Sequence, residues 1–113
     1  MEKRRYKRLI FGINIYKSGG KKIGLTKDIS ASGAFIETSA YFPIGKKLDI
    51  VFELPDELKT LTTTARVINR RKKPHCGIGV EFEIKNGTVI KNLKQFTERW
   101  STYMEQSGYV PYA

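Results

Sequence analysis

Cysteine and histidine each occur once in the 113 residues, as Cys76 and His75, and that scarcity closes several routes at once. A lone cysteine forms no internal disulfide, and no spaced set of Cys and His residues is available to build a zinc site. The adjacent His75-Cys76 pair is not a nucleophile–base arrangement, which needs two groups brought together in space and a third to orient them. The serines near residue 30 do not sit in a Gly-x-Ser-x-Gly elbow. The glycines at 19 and 20 are not followed by the Lys-Ser/Thr of a phosphate loop. No catalytic constellation, metal cluster or cofactor motif is found, so the chain reads as a non-enzyme. Long apolar runs are missing too. Leu9 to Tyr16 is too short and too interrupted for a signal-peptide core or a membrane span, and the expectation is a soluble, cytoplasmic protein with no membrane insertion. Acidic residues are the third deficit: 11 Asp and Glu stand against 21 Lys and Arg, a formal charge of +10. A surplus of that size concentrates anions, whether nucleic acid, phospholipid headgroups or a small phosphorylated ligand.

What is present is a period of two. Leu9, Phe11, Ile13 and Ile15 alternate along a predicted first strand, and Ser18-Gly19-Gly20-Lys21 supplies a hairpin turn. A second strand runs through Ile23 and Leu25 towards Asp28. A third spans Ala34 to Thr38, with Phe35 as a candidate core residue. After a loop at Pro43 and Gly45, Leu48, Ile50, Phe52 and Leu54 alternate, and Pro55-Asp56-Glu57 turns the chain. Leu61, Thr63, Ala65 and Val67 share one face of the segment Lys59 to Asn69, and Ile78, Val80 and Phe82 mark a sixth strand. Six short strands at even spacing predict a small antiparallel barrel or sandwich. A chain of this length holds one core.

The period then changes. Ile90, Leu93, Phe96, Trp100 and Tyr103 recur at three- and four-residue steps, which predicts an amphipathic helix behind an Asn86-Gly87-Thr88 turn. Its aromatic stripe is expected to pack on the strands and cover an opening or edge. The expected divisions are an arm at 1–8, the β-domain at 9–85, the helix at 86–106 and a loose tail at 107–113.

Two groups of residues suit an anionic ligand. Lys3-Arg4-Arg5-Tyr6-Lys7-Arg8 precedes the first strand, and arginine offers a planar fork for phosphate oxygens and a flat face for stacking. Taken alone, the run reads as a solvated basic leader. The second group is Asp28-Ile29-Ser30-Ala31-Ser32-Gly33. An aspartate can accept two N–H bonds from a guanine edge, a serine hydroxyl can accompany it, and glycine permits close backbone approach. Taken alone, this segment reads as an Asx or Ser turn that ends a strand.

In order, Arg4-x-x-x-Arg8, a strand–turn–strand hairpin and Asp28-x-Ser30-x-x-Gly33 resemble the bipartite signature of the PilZ family. The resemblance runs over nearly the whole chain and includes the segment Gly77-Ile78-Gly79-Val80-Glu81-Phe82. It implies a mainly all-β fold, a six-stranded antiparallel β-barrel with a C-terminal α-helix. It also implies a bacterial receptor for cyclic di-GMP. By that resemblance Arg4 and Arg8 hold phosphates and stack on guanines, and Arg5 is a further contact. Asp28 and Ser30 read a guanine edge, and Gly33 keeps the loop shape. Lys7 stands where many members have proline, which leaves the arm less preset. Family analogy further implies an arm that closes over the ligand and alters a docking surface for an effector protein of motility, pilus or exopolysaccharide machinery. The competing expectations are a basic barrel that binds single-stranded nucleic acid, with Tyr6, Tyr16 and Tyr41 as stacking residues, and a PilZ-like adaptor without nucleotide binding. Aromatics mostly fall on the presumed inner face, so nucleic acid is not the expected partner.

Overall fold

Strand periodicity is cleanest where β4 (Lys47–Leu54) meets β5 (Lys59–Arg71), and these two form the longest ladder, from Lys47↔Arg66 to Leu54↔Lys59. The computed structural model describes residues 9–54, 59–73, 76–83 and 87–108. Within it, β1 (Asn14–Lys17), β2 (Lys22–Ile29), β3 (Gly33–Glu37) and β6 (Gly77–Glu83) complete a closed antiparallel barrel in the order β1-β2-β3-β6-β5-β4. Closure depends on β1 pairing with β4, Ile15 opposite Phe52, which leaves no exposed sheet edge. The barrel expectation therefore holds over the sandwich. Inward-pointing Ile15, Ile36, Ile50, Phe52, Ala65, Val67, Ile78 and Val80 fill the interior.

Antiparallel pairing sorts the connections into two ends. The β2–β3 turn and the start of helix α1 (Gly87–Gln106) lie at one, the helix end. The β1–β2 hairpin, the β3–β4 loop and the β5–β6 turn lie at the other, the hairpin end. The helix does cover an opening. Leu93 and Phe96 are fully buried in the core cluster, and Trp100 packs against it. Phe11 makes an edge contact with Phe96 at 5.6 Å and a tilted one with Trp100 at 4.9 Å. No helix among the described residues is long and apolar enough to cross a membrane.

The first strand is shorter than its alternation predicts. Regular pairing starts at Asn14, and Leu9 reaches β2 only through an isolated bridge to Ile29. Between them Thr26, which is 2% exposed, donates its N–H to the Ile13 carbonyl at 3.0 Å and extends the pairing with its side chain. Its hydroxyl donates to the Phe11 carbonyl at 2.6 Å and accepts the Ile13 N–H at 2.8 Å. In β2 a bulge at Lys27 separates Thr26, paired with Ile36, from Asp28, paired with Phe35. An extra residue flips everything beyond it to the other face. Thr26 and Ile29 therefore face the core, whereas Asp28 faces outwards. Phe35 is correspondingly not a member of the core cluster. It is buried, 4% exposed, on the outer surface of the barrel. The Pro55 turn, His75, the Asn86 cap and residues 109–113 of the tail lie outside the described residues.

Candidate functional site

The sequence singles out Asp28, Ser30 and Gly33, and the fold brings them together on and beside one turn at the helix end. Asp28 closes β2 on its outer face, nearly buried at 9% exposure, and its Oδ1 accepts the Phe35 N–H at 3.3 Å. Ser30 is fully buried. Its N–H donates to the Gly33 carbonyl at 2.9 Å, and its Oγ accepts the Ser32 N–H at 3.2 Å and lies 3.1 Å from the Ser32 Oγ. The serine thus builds the turn itself, the local pattern expected of a Ser turn. Gly33 is needed for space. A Cβ placed there would lie 2.4 Å from the Val80 carbonyl oxygen of β6. The turn is also stitched to β6 by the Phe82 N–H, which donates to the Ser32 carbonyl at 2.9 Å.

The arginine arm, with Arg4, Arg5 and Arg8, lies outside the described residues. Its root does not. Leu9 is fully buried and exchanges two backbone hydrogen bonds with Ile29, at 2.7 and 2.9 Å. Ile29 is the residue between Asp28 and Ser30.

Residues directly opposite in a ladder share a face. The outer row through Asp28 continues across the barrel as Phe35, Gly79 and Asn69. The next outer row towards the hairpin end carries Glu37, Gly77 and Arg71. At Gly77 a Cβ would meet the Phe35 ring at 2.9 Å, so the absence of a side chain there lets the ring pack against β6. The Arg71 guanidinium covers that ring at 5.2 Å from its centroid, within cation–π range. The Asn69 side chain lies in the same way over Gly79, whose N–H donates to its Oδ1 at 3.1 Å. The result is an outer surface with a carboxylate at one side, an arginine at the other, and Phe35 and Asn69 packed against the glycines of β6 between them.

This geometry fits a family that the chain's sequence also matches: the PilZ domain model aligns with residues 2–99. The chain belongs to the PilZ domain family. Solved structures agree on the fold of this PilZ domain. It is similar to YcgR from Escherichia coli in complex with c-di-GMP (TM-score 0.80, 14% identity, 96% of this chain and 50% of that chain). It is similar to the Bacillus subtilis inhibitor of motility MotI/DgrA (TM-score 0.77, 20% identity, 91% of this chain and 53% of that one). A third is the isolated PilZ domain of YcgR from Escherichia coli with c-di-GMP (TM-score 0.63, 16% identity, 95% of each chain). The chain thus spans about half the length of the first two proteins. No curated protein matches its sequence.

Three contributors were not visible in the sequence. Thr26 is hidden by the bulge, since simple alternation gives no reason to bury a threonine there. The Leu9–Ile29 clamp joins residues 20 positions apart. Arg70 and Arg71 open the basic run Arg70–Lys73, yet both lie in β5, and each caps an aromatic ring, Tyr41 and Phe35 respectively. Continuing the strand period past Val67 would have placed Asn69 and Arg71 on the inner face, and the bulge between Val67 and Asn69 turns them outwards.

Proposed function

We infer that this PilZ domain is a receptor for cyclic di-GMP that works as a protein-binding adaptor. The observation that carries the reading is the clamp of Leu9 on Ile29. It fastens Leu9, the residue that follows the arginine arm, to the residue between Asp28 and Ser30, which supports the two halves of the motif acting on one ligand. Arg8 is the residue bonded to Leu9, and Arg4 is five residues from the clamp, within about 17 Å of chain. Two of the similar structures are described as containing c-di-GMP, which supports the choice of ligand.

In this reading the ligand lies on the outer surface of the barrel. Arg4, Arg5 and Arg8 supply forks for its phosphates and planes for its purines. Asp28 accepts from a guanine edge, Ser30 holds the turn that aims Asp28, and Gly33 lets that turn sit against β6. Each charge-assisted hydrogen bond contributes about 1.5–3 kcal/mol net. Micromolar affinity needs about 8 kcal/mol, so a few such contacts suffice after the cost of ordering residues 1–8 is subtracted.

The route to an output starts at the same clamp. Two residues beyond Leu9, Phe11 packs on Phe96 and Trp100 of α1. Closing the arm over a ligand loads this contact, and the helix transmits the change to a docking surface. The division into arm, barrel (9–85) and covering helix (86–106) then has a functional meaning. One similar protein is named an inhibitor of motility, which makes motility machinery, in the cytoplasm, the favoured class of effector.

Calorimetric titration tests this directly, using cyclic di-GMP, GMP, a short single-stranded oligonucleotide and an Arg8→Ala variant. Micromolar or tighter binding of cyclic di-GMP alone, lost in Arg8→Ala, is the expected result. Salt-sensitive binding of the oligonucleotide with no heat from the dinucleotide would overturn it.

A further inference from the structure

The proposed nucleotide site uses the arm and the outer face near Asp28. The hairpin end of the barrel is left over, and its chemistry is one-sided. The β1–β2 hairpin carries Lys17, Lys21 and Lys22, all exposed. The β3–β4 loop ends on exposed Lys46, and β5 leaves the barrel through Arg70, Arg71, Lys72 and Lys73. None of these three connections (17–22, 38–46 and 70–76) contains an aspartate or glutamate. The nearest carboxylates are Glu37, which is half-buried, and Asp49, which accepts a hydrogen bond from the Thr64 hydroxyl at 2.9 Å.

Apolar side chains stand in the middle of this basic rim. Tyr41 is 68% exposed and Ile44 is 66% exposed, the two most exposed large apolar residues among those described. They are held there. Gly45 donates to the Val67 carbonyl at 2.7 Å, and the Val67 N–H donates to the Lys46 carbonyl at 2.9 Å, which ties the loop tip to β5. Tyr41 is held in turn by Arg70, whose guanidinium lies 4.1 Å from the ring centroid. A cleft of about 480 Å³ opens beside them, lined by Thr38, Tyr41, Arg70, Arg71, Lys72 and Cys76.

We propose that the hairpin end docks on an anionic phospholipid bilayer, with Tyr41 and Ile44 entering the interface and the surrounding lysines and arginines facing the phosphates. Clustered Lys and Arg next to apolar and aromatic residues are what such a surface selects. Apolar burial and attraction to anionic lipid add together, and tyrosine suits a boundary that is apolar on one side and wet on the other. The cations are spread around a barrel rim on three separate connections. That arrangement matches a flat, laterally uniform field of phosphates better than a single acidic peptide, which would follow one groove. Docking by this end leaves Asp28 and Leu9, at the other end of β2, away from the membrane.

The test is co-sedimentation of the full chain with vesicles of phosphatidylcholine, with and without about 30% phosphatidylglycerol, at several salt concentrations. Each cation near such a surface changes partitioning about five-fold. The double variant Arg70→Glu/Lys72→Glu is therefore expected to lose binding to the anionic vesicles by more than ten-fold. The control Lys27→Glu/Lys91→Glu carries the same charge change on β2 and α1 and should lose less than three-fold. Tyr41→Ser/Ile44→Ser should lose several-fold at high salt, where electrostatic attraction is screened. Equal losses in the two charge-reversal variants would mean that net charge alone drives binding and would overturn the proposal, as would unchanged binding of Tyr41→Ser/Ile44→Ser. Absence of binding to anionic vesicles would overturn it too and hand this surface to an acidic protein. Circular dichroism confirms that each variant folds. Cyclic di-GMP titration of the same variants is read separately, because the nucleotide reading stands or falls on Arg8→Ala.

Discussion

Thr26→Val is the most searching perturbation of this domain, because it changes one buried hydroxyl and almost nothing else. Valine keeps the branched shape and suits a strand. What it removes is a two-way bridge: the donor to the Phe11 carbonyl at 2.6 Å and the acceptor of the Ile13 N–H at 2.8 Å. Ile13 is 1% exposed, so its N–H is left without a partner. An orphaned buried donor costs about 1–3 kcal/mol, and the lost bond to the Phe11 carbonyl adds about 0.5–1.5 kcal/mol. The sum is about 1.5–4.5 kcal/mol. For a domain slightly above 100 residues, each kcal/mol moves Tm by about 4 °C, so Tm should fall by about 6–18 °C. Thermal unfolding followed by circular dichroism measures this, with Thr26→Ser as the control that keeps the hydroxyl and gives up only a methyl group. A Thr26→Val shift below about 3 °C, or a serine variant as unstable as the valine one, would refute the reasoning.

Other consequences are equally direct. Gly33→Ala puts a methyl group 2.4 Å from the Val80 carbonyl, and forcing β3 away from β6 should cost about 1–3 kcal/mol, visible as a lower urea midpoint with unchanged slope. Asp28→Asn keeps an oxygen for the Phe35 N–H, so Tm should move by less than about 4 °C. It removes the charge that would read guanine donors in the proposed site, and titration calorimetry should show cyclic di-GMP affinity at least ten-fold weaker. Trp100 is the single tryptophan, and its Nε1 is shut off from solvent with no hydrogen-bond partner among the described residues. If the arm acts through Phe11, cyclic di-GMP will change the tryptophan emission of the native chain. In Phe11→Ala binding should persist while the emission change is lost. An unchanged response in that variant would rule out the Phe11 route.

The parts of the fold that could be read from the sequence are those where burial is one-sided and the period uninterrupted. Leu48, Ile50 and Phe52 point inwards as their alternation predicts, and so do Ile78, Val80 and Phe82. The helix stripe at Leu93 and Phe96 is in the core for the same reason. What could not be read was any place where an extra residue breaks the count. The bulge at Lys27 sends Thr26 inwards, Asp28 outwards and Leu25 to 42% exposure. A second bulge in β5 between Val67 and Asn69 leaves Ile68 39% exposed. Such irregularities leave no trace in composition, and a slip of one residue exchanges the two faces. Barrel closure was hidden for a different reason. It rests on β1 meeting β4, and period within a strand carries no information about its partner. At the site, the motif residues were legible by type and spacing, whereas the engagement of Ser30 within its own turn is a matter of three-dimensional hydrogen bonding.

The same bulge bears on the proposed ligand site on the outside of this barrel. Six strands enclose too little volume to hold both a core and a dinucleotide, and the interior is already filled from Ile15 through Phe52 to Val80. Recognition therefore has to be built on the outer face, where a carboxylate would ordinarily be solvated and its hydrogen bonds weak. The Lys27 bulge turns Asp28 to that face, yet the Phe35 N–H and the adjoining turn keep the residue only 9% exposed. A carboxylate that is nearly dry but opens to the surface is already held in place before ligand arrives, so less ordering is left for binding to supply. Gly77 and Gly79 let the Phe35 ring and the Asn69 side chain lie close against β6 beside it, and the clamp at Leu9 fixes where the arm begins. The irregularity in β2 that period-two reading misses is therefore the feature on which the proposed outer-face site depends.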